Sequence, residues 1–573
     1  MAERKTSLRV VILGGYGVFG GKLASLLLRN PRYEVIVAGR DLKKAQAFCK
    51  QHGGTPVVLD RNTAEFSERL AMIEPFVTVD AAGPFQDYCG NTYGVVKAAL
   101  NTGSHYLDLS DDARFTREIS SLDFEAHAAG LVVLSGVSSV PALSSAAVED
   151  LKTSFSRLDV IESVILPGNR APRGLSVIRA ILAQVGKPIS VTRAGKPDKV
   201  VGWSGLKRQT IDHAGQEGLK PRWSCFIGAP DLTLFPKHYG AKTVLFRAGL
   251  ELSFLHLGLW LLGCFVRLKL IRSLEPAARP MKIVADWLEN FGSDRGGMEV
   301  SLAGLDNDGA PVKRAWTLIA EAGDGPYIPA VAAAVLCERL AEQAVRPGAR
   351  PCLGEFSTGE FDRATAHLSV ATFKSKENAP TLFQQALGSD FKGLPEAVRS
   401  LHTVFDRHSW SGLAKVTRGR SKIGNLICRI VGLPPPAESC PVSVIIERKG
   451  KSEVWSRQFG AHKMRSKLSL AGKYGSGIIC EQFGLLGFHI HLHPVKGRLN
   501  YPVKRGTFLG LPLPKWTLPV SETTEFELGG KFHFDVKISQ PGLGLLVHYQ
   551  GWLEEDVVNT QALSASADQM SPT

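Results

Sequence analysis

Residues 9–20 read Arg9-Val10-Val11-Ile12-Leu13-Gly14-Gly15-Tyr16-Gly17-Val18-Phe19-Gly20. An apolar, β-branched run ends in Gly15-x-Gly17-x-x-Gly20, and a helical pattern follows at once over residues 22–28. This is the strand, tight turn and helix start of a dinucleotide-binding unit. Gly15 allows the turn, Gly17 lets backbone approach a pyrophosphate, and Gly20 lets helix and strand pack closely. The anion is expected on the helix N-terminus, where free N–H groups and the helix dipole favour negative charge. Tyr16, Val18 and Phe19 lie within the same loop and join the expected cofactor-binding set.

The segments that follow extend the unit. A second strand is expected over residues 33–38, at βαβ spacing, and it ends in Gly39-Arg40. An NAD-type site usually carries an acid here for the ribose 2′-hydroxyl. A guanidinium instead pairs with a 2′-phosphate, so the sequence favours NADP, with NAD as the alternative. Residues 56–60 read as a third strand ending at Asp60. Residues 76–82 read as a fourth, running through Ala82 into Gly83-Pro84-Phe85. Ligands in open α/β sheets collect at the carboxyl ends of strands. Gly15 to Gly20, Arg40, Asp60 and Ala82 to Phe85 all fall at such ends. Short connections between recurring strands and helices predict a Rossmann fold with a doubly wound parallel sheet.

The ordered set of Gly-Gly-Tyr-Gly-Val-Phe-Gly, Ala38-Gly39-Arg40-Asp41, Ala81-Ala82-Gly83-Pro84-Phe85 and Ala98-Ala99-Leu100-Asn101-Thr102-Gly103-Ser104-His105-Tyr106-Leu107-Asp108-Leu109 resembles the saccharopine dehydrogenase-like family of NADP-binding oxidoreductases. It also resembles the bacterial trans-acting enoyl reductases of lipid synthesis. The resemblance spans residues 8–365 and is strongest before residue 150. It implies nicotinamide-dependent redox chemistry and a Rossmann domain with an inserted α+β domain. The implied nucleotide site is Gly15, Gly17, Gly20, Arg40 and the 83–85 loop. The catalytic pattern departs: where relatives continue after Tyr-x-Asp with Thr or Ser, Gly and Glu, this chain has Ser110-Asp111-Asp112.

The expected domains are 1–140 (nucleotide binding), 141–325 (inserted), 326–365 (return to the Rossmann domain), 366–390 (linker), 391–555 (β-rich) and 556–573 (disordered tail). The return follows from a helical pattern over residues 326–343, stopped by Pro347-Gly348. The β-rich part follows from short strands expected at 442–447, 454–459, 478–483, 488–493, 532–538 and 545–552, which suggest an antiparallel sheet or barrel. Leu394-Pro395, Trp455-x-Arg457-x-Phe459 and Tyr549-x-Gly551-Trp552-Leu553 resemble a bacterial domain family of unknown function.

Redox chemistry needs hydride geometry and a proton donor. Tyr106, Asp108 and Asp111 follow the fifth strand and are the catalytic candidates, the alternative being that they pack or cap a helix. Cys89, after the Gly-Pro-Phe loop, is more readily a small hydrophobe than a catalyst. His489, His491 and His493 alternate along one strand and could share a metal with His533 or Glu481. The alternative, favoured without paired Cys/His spacing elsewhere, is a polar strand edge, and no metal is assigned. No Ser-His-Asp, P-loop or metalloprotease pattern occurs. The loop 167–174 carries Arg170 and Arg173 and reads as a turn before it reads as an anion site.

The chain of 573 residues carries a formal charge of +14, and nine scattered cysteines include no Cys-x-x-Cys pair. The start Met-Ala-Glu-Arg-Lys leads straight into a strand. These features predict a reducing, cytoplasmic compartment. No nucleic-acid motif accompanies the basic charge. Residues 252–266 contain no Asp, Glu, Lys or Arg but fall short of a span of about 20 residues. A buried helix is the simplest reading, and an interfacial helix flanked by Arg267, Lys269 and Arg272 the sharper one. Peripheral membrane contact through 252–266 would suit a lipid-like carbonyl or enoyl substrate. A non-catalytic NADP(H)-sensing or lipid-binding protein is the reading from a different class. A homo-oligomer stays open.

Overall fold

A computed structural model describes residues 7–88, 91–213 and 216–556. Cys89 and all of the expected tail but Asp556 lie outside these residues. The chain divides into two compact units, residues 1–192, 197–302 and 313–376 in one, and 193–196, 303–312 and 377–573 in the other.

The first unit begins with a parallel sheet. Strands β1 (Leu8–Leu13), β2 (Tyr33–Gly39), β3 (Thr55–Val58), β4 (Val77–Asp80), β5 (His105–Asp108) and β6 (Val132–Ser135) run in the order 6-5-4-1-2-3, and Gly348–Pro351 adds a seventh strand beside β6. This is the doubly wound order, with the topological switch between β1 and β4. Strand β1 is apolar on both faces because both are covered: Val10 and Ile12 enter one core cluster, Val11 and Leu13 another. Helix α1 (Val18–Leu27) buries Gly20, Leu23, Ala24 and Leu27 on the sheet. The helix Ile328–Ala341 packs beside α1, so residues after 325 return to this layer.

The same unit holds a second, mixed sheet built from residues 155–378. Its strand Thr243–Gly249 runs parallel to Phe155–Leu166, and helices Leu175–Gln184, Ser253–Arg267 and Ala278–Trp287 accompany it. Residues 366–390 are not a linker. Val370–Asn378 is the edge strand of this sheet, and its exposure explains its polar composition. Helix Leu382–Leu387 follows, started by a capping box between Thr381 and Gln384, and buries Leu382, Phe383, Ala386 and Leu387 in the core of the second unit.

The second unit is an antiparallel sheet that closes on itself. Its path runs from strand Val520–Leu528 through 531–540, 544–555, 407–418, 437–449, 452–459 and 462–470 to Ile478–Phe483. The hairpin 486–508 joins the two ends. Leu486–His491 pairs with Ile478–Phe483, and Arg498–Asn500 pairs with Val520–Leu528. The two arms of that hairpin also pair with each other. Alternate residues face a common interior, which is the apolar pattern of Val442, Val444 and Ile446 and of Phe532, Phe534 and Val536.

Candidate functional site

The glycine loop is set by backbone contacts that admit no side chain. Gly14 adopts φ +71°, and a Cβ there would stand 2.9 Å from the Ala81 carbonyl oxygen. The turn after β1 and the loop after β4 therefore abut at the topological switch. A Cβ on Gly20 would stand 2.3 Å from the Gly14 oxygen, and one on Gly15 2.8 Å from that of Ile12. Gly17 is the N-cap of α1 and offers no side-chain cap, so the first-turn amides, including those of Val18 and Phe19, lack an intrahelical acceptor. The loop is shaped by close backbone packing and leaves these amides free for an anion.

At the end of β2, the Tyr16 ring lies on Gly39, where a Cβ would meet it at 2.5 Å, and its hydroxyl accepts from the Asp41 amide at 3.1 Å. Asp41 is turned away as the N-cap of α2 (Leu42–His52), accepting from the Lys44 amide at 3.2 Å. Arg40 stands between them, exposed, with no ion-pair or hydrogen-bond partner among the described residues. The free charge at the end of β2 is thus a guanidinium, and the neighbouring carboxylate is occupied.

Asp60 closes a turn after β3, where its carboxylate accepts from the Asn62 amide at 3.0 Å. The next residue, Arg61, was not anticipated from sequence. Its guanidinium donates to the Ala82 carbonyl at 2.7 Å and to the Tyr88 hydroxyl, and lies 3.6 Å from the centre of the Tyr88 ring. Tyr88 donates in turn to Asp80 Oδ2 at 2.5 Å, while Asp80 Oδ1 accepts from the Ala82 amide at 3.0 Å. Arg61, Tyr88 and Asp80 thereby fix Ala82-Gly83-Pro84-Phe85. Gly83 is exposed, and Phe85 is buried against Tyr88. Burial pushes the Asp80 carboxyl up, against the pull of the Tyr88 hydroxyl, the Ala82 amide and the Arg61 guanidinium. Burial, then the Asp80 charge, raises the Tyr88 hydroxyl, which stays a donor. An arginine directly after a strand-end Asp was the one signal that could have exposed this network.

Tyr106 and Asp108 share a face of β5, and both are wholly enclosed. Tyr106 sits in a core cluster with Ile119 and Leu122, and its hydroxyl faces no polar group among the described residues other than the Asp108 carboxyl on the same face of the strand. Asp108 Oδ1 accepts from the Ser110 amide at 2.9 Å, the Ser135 hydroxyl at 2.9 Å and the Gly136 amide at 2.8 Å. Burial pushes the Asp108 carboxyl up to about 7 despite these bonds. Their enclosure corrects the expectation that these two side chains meet a substrate: Tyr106 packs, and Asp108 ties together the ends of β5 and β6. Asp111 is exposed and accepts from Gln86 at 3.4 Å, and Asp112 caps the helix Ala113–Glu118. Asp111 is the one of the three candidates that reaches solvent at the carboxyl ends of the strands.

The histidine strand does not gather ligands. The strand breaks at Leu492, Glu481 is held by Arg457 at 3.1 Å and Ser466 at 2.7 Å, and His533 stacks on Phe526. Among the described residues no three His, Cys, Asp or Glu side chains are placed to hold a metal ion. Arg173 in the 167–174 loop donates to Asn169, as in a packed turn. Helix Ser253–Arg267 buries His256, Leu259, Gly263 and Val266 and exposes the opposite stripe of Phe254, Leu257, Leu261 and Phe265. Among the described residues no helix is long and apolar enough to cross a membrane.

Residues 10–134 match the family model described as saccharopine dehydrogenase NADP binding domain, and residues 394–553 match a domain of unknown function (DUF4166). The first match supports a nicotinamide cofactor and an oxidoreductase. Similar solved structures include an apo histidine-tagged saccharopine dehydrogenase (L-Glu forming) from Saccharomyces cerevisiae. It is 14% identical, with 65% of this chain and 100% of that chain covered and a TM-score of 0.48. A probable dehydrogenase from Thermotoga maritima is 9% identical over 62% of this chain and 93% of that chain, with a TM-score of 0.32. GenD2 from gentamicin A biosynthesis, in complex with NAD, is 12% identical over 51% and 69%, with a TM-score of 0.26. None of the curated proteins compared with the sequence matches it.

Proposed function

We propose that the protein is an NADP-dependent oxidoreductase acting on a lipid-like carbonyl or enoyl substrate rather than an amino acid. The observation that carries the cofactor reading is the pairing of a glycine cradle with an exposed, unpartnered Arg40 at the end of β2. A bound nicotinamide supplies or accepts the hydride. The protein's residues hold and orient it: the loop from Gly15 to Gly20 and the start of α1 receive the pyrophosphate, and Arg40 takes the 2′-phosphate. Asp60 closes the turn at the adjacent strand end, and Gly83 leaves backbone open for close approach opposite the glycine loop. Asp111 is positioned to move a proton at the solvent-facing lip.

The exposed stripe of Phe254, Leu257, Leu261 and Phe265, followed by Arg267, Lys269 and Arg272, supports a substrate drawn from an apolar phase. An enoyl substrate would make this a trans-acting enoyl reductase. The enclosure of Tyr106 and Asp108 favours one further reading, a non-catalytic protein that responds to NADP(H). Titration of the purified protein with NADPH and NADH, followed by nicotinamide fluorescence, tests the cofactor. Selective NADPH binding is expected, and absence of binding by a folded protein overturns the proposal. Oxidation of bound NADPH by long-chain enoyl or ketoacyl thioesters then separates the enzyme from the sensor.

A further inference from the structure

The C-terminal barrel encloses a cavity of about 550 Å³, within the range of about 300–1,000 Å³ that holds a small organic ligand. Its wall is mostly apolar, from Val444, Leu468, Phe488, Phe534 and Val536 among others. Two polar clusters interrupt it. Arg457 donates to Ser466 at 2.8 Å and to Glu481 at 3.1 Å, and Ser466 also donates to Glu481 at 2.7 Å. Tyr501 donates to Glu525 at 2.5 Å, and His402 Nε2 lies 2.6 Å from the same oxygen. Arg457, the one Lys or Arg side chain among the described residues that line the cavity, therefore already faces a carboxylate. A ligand carboxylate would meet Glu481 and Glu525 without a free cation, whereas a hydroxyl or carbonyl finds hydrogen-bonding groups at Tyr501, Thr523 and Ser521.

One end of the barrel is closed by material that is itself apolar toward solvent. Helix Lys422–Val431 turns Ile427 and Val431 into the cavity and leaves Ile423, Leu426 and Ile430 exposed, Ile430 by 76%. Trp516 also lines the cavity yet is 75% exposed. It belongs to the same end: its carbonyl accepts from Gln540, which lines the cavity with Leu543 and Leu546, and Leu546 packs at Gly424 of the helix. Lys422, Arg429 and Lys515 are exposed around this rim, and no Asp or Glu occurs between Arg407 and Ala437. Apolar side chains ringed by cations complement an anionic lipid surface.

We propose that the barrel binds a neutral amphiphile, a long hydrocarbon bearing a hydroxyl or carbonyl, and exchanges it with an anionic membrane through helix Lys422–Val431 and Trp516. The test uses the full chain and an ω-bromo long-chain alcohol, which quenches tryptophan fluorescence when it lies near Trp455 inside the cavity. Saturable quenching is expected, weaker with the matching ω-bromo carboxylic acid. Thr523→Phe combined with Val536→Phe fills the cavity from two cross-strand neighbours and should weaken binding by about tenfold or more. Should that variant not fold, Tyr501→Phe reads the same site by narrowing the preference for alcohol over acid. Transfer of the alcohol from phosphatidylglycerol vesicles should outpace transfer from phosphatidylcholine vesicles. Ile423→Asp with Ile430→Asp should slow it without changing affinity. No saturable quenching, equal quenching by a folded cavity-filled variant, or tighter binding of the acid overturns the proposal. Transfer indifferent to vesicle charge and to the helix substitutions overturns the membrane route.

Discussion

Asp80 and Asp108 stand opposite one another in register at the ends of two neighbouring parallel strands, both wholly buried and neither in an ion pair among the described residues. Their charges oppose each other, and for Asp108 that repulsion adds to burial in raising the carboxyl to about 7. A carboxyl held higher in the folded chain than in the unfolded one binds its proton more tightly when folded. Its contribution is fully present at low pH and is lost as pH rises toward about 7. Asp108→Asn keeps an acceptor for Ser110, Ser135 and Gly136 but cannot ionise. The stability of the variant relative to the native protein should therefore improve on going from about pH 5 to about pH 8. Thermal unfolding of both proteins at the two pH values checks this; a gap that does not change with pH contradicts it.

The 2.3 Å separation between a Gly20 Cβ and the Gly14 oxygen leaves no room for a methyl group, since both partners are backbone. Gly20→Ala should push α1 away from the turn, at a cost of about 1–3 kcal/mol. The displacement also shifts the amides proposed to receive the pyrophosphate, so NADPH affinity should fall by more than the loss of stability explains. Chemical denaturation and fluorescence titration of the same variant separate the two effects. Native NADPH affinity in the variant would show that the cradle is not the binding site.

Arg40 has no partner among the described residues, so its removal should cost the fold nothing measurable. Arg40→Asp should weaken NADPH by about 1.5–3 kcal/mol, the worth of a charge-assisted contact. NADH should be unaffected or favoured, because the new carboxylate can accept from a ribose hydroxyl. Parallel titrations with the two cofactors decide it. An equal loss for both would place Arg40 at the pyrophosphate instead.

Much of this site was legible because its cues are local. Gly15, Gly17 and Gly20 sit in one turn, and Val10 to Leu13 are apolar on both faces because β1 is central. The Arg61–Tyr88–Asp80 network was not legible: it joins the loops after β3 and β4, whose strands are separated by β1 and β2 in the sheet. Tyr106 misled for a related reason. A tyrosine at a strand end reads as accessible, yet the cover supplied by Ile119 and Leu122 comes from a later segment. Residues 370–378 read as linker because an edge strand with an exposed end carries linker-like polarity. The closing hairpin 486–508 could not be inferred from strand spacing, since closure depends on which strands pair.

Helix Ser253–Arg267 carries the last prediction. Deleting 252–266 would remove Leu259 and Val266 from the core and the carbonyl of His256 that accepts from Trp203, so deletion would damage the surrounding unit. Substitutions on the exposed stripe avoid this. Phe254 is 59% and Leu261 52% exposed, and neither side chain supports the core. Burying such a side chain at a membrane surface is worth about 1.5–3 kcal/mol, and each nearby basic residue adds about 1 kcal/mol on an anionic leaflet. Phe254→Asp with Leu261→Asp should therefore abolish co-sedimentation with phosphatidylglycerol vesicles while leaving the unfolding temperature unchanged. Co-sedimentation that survives both substitutions would remove this helix as a membrane contact.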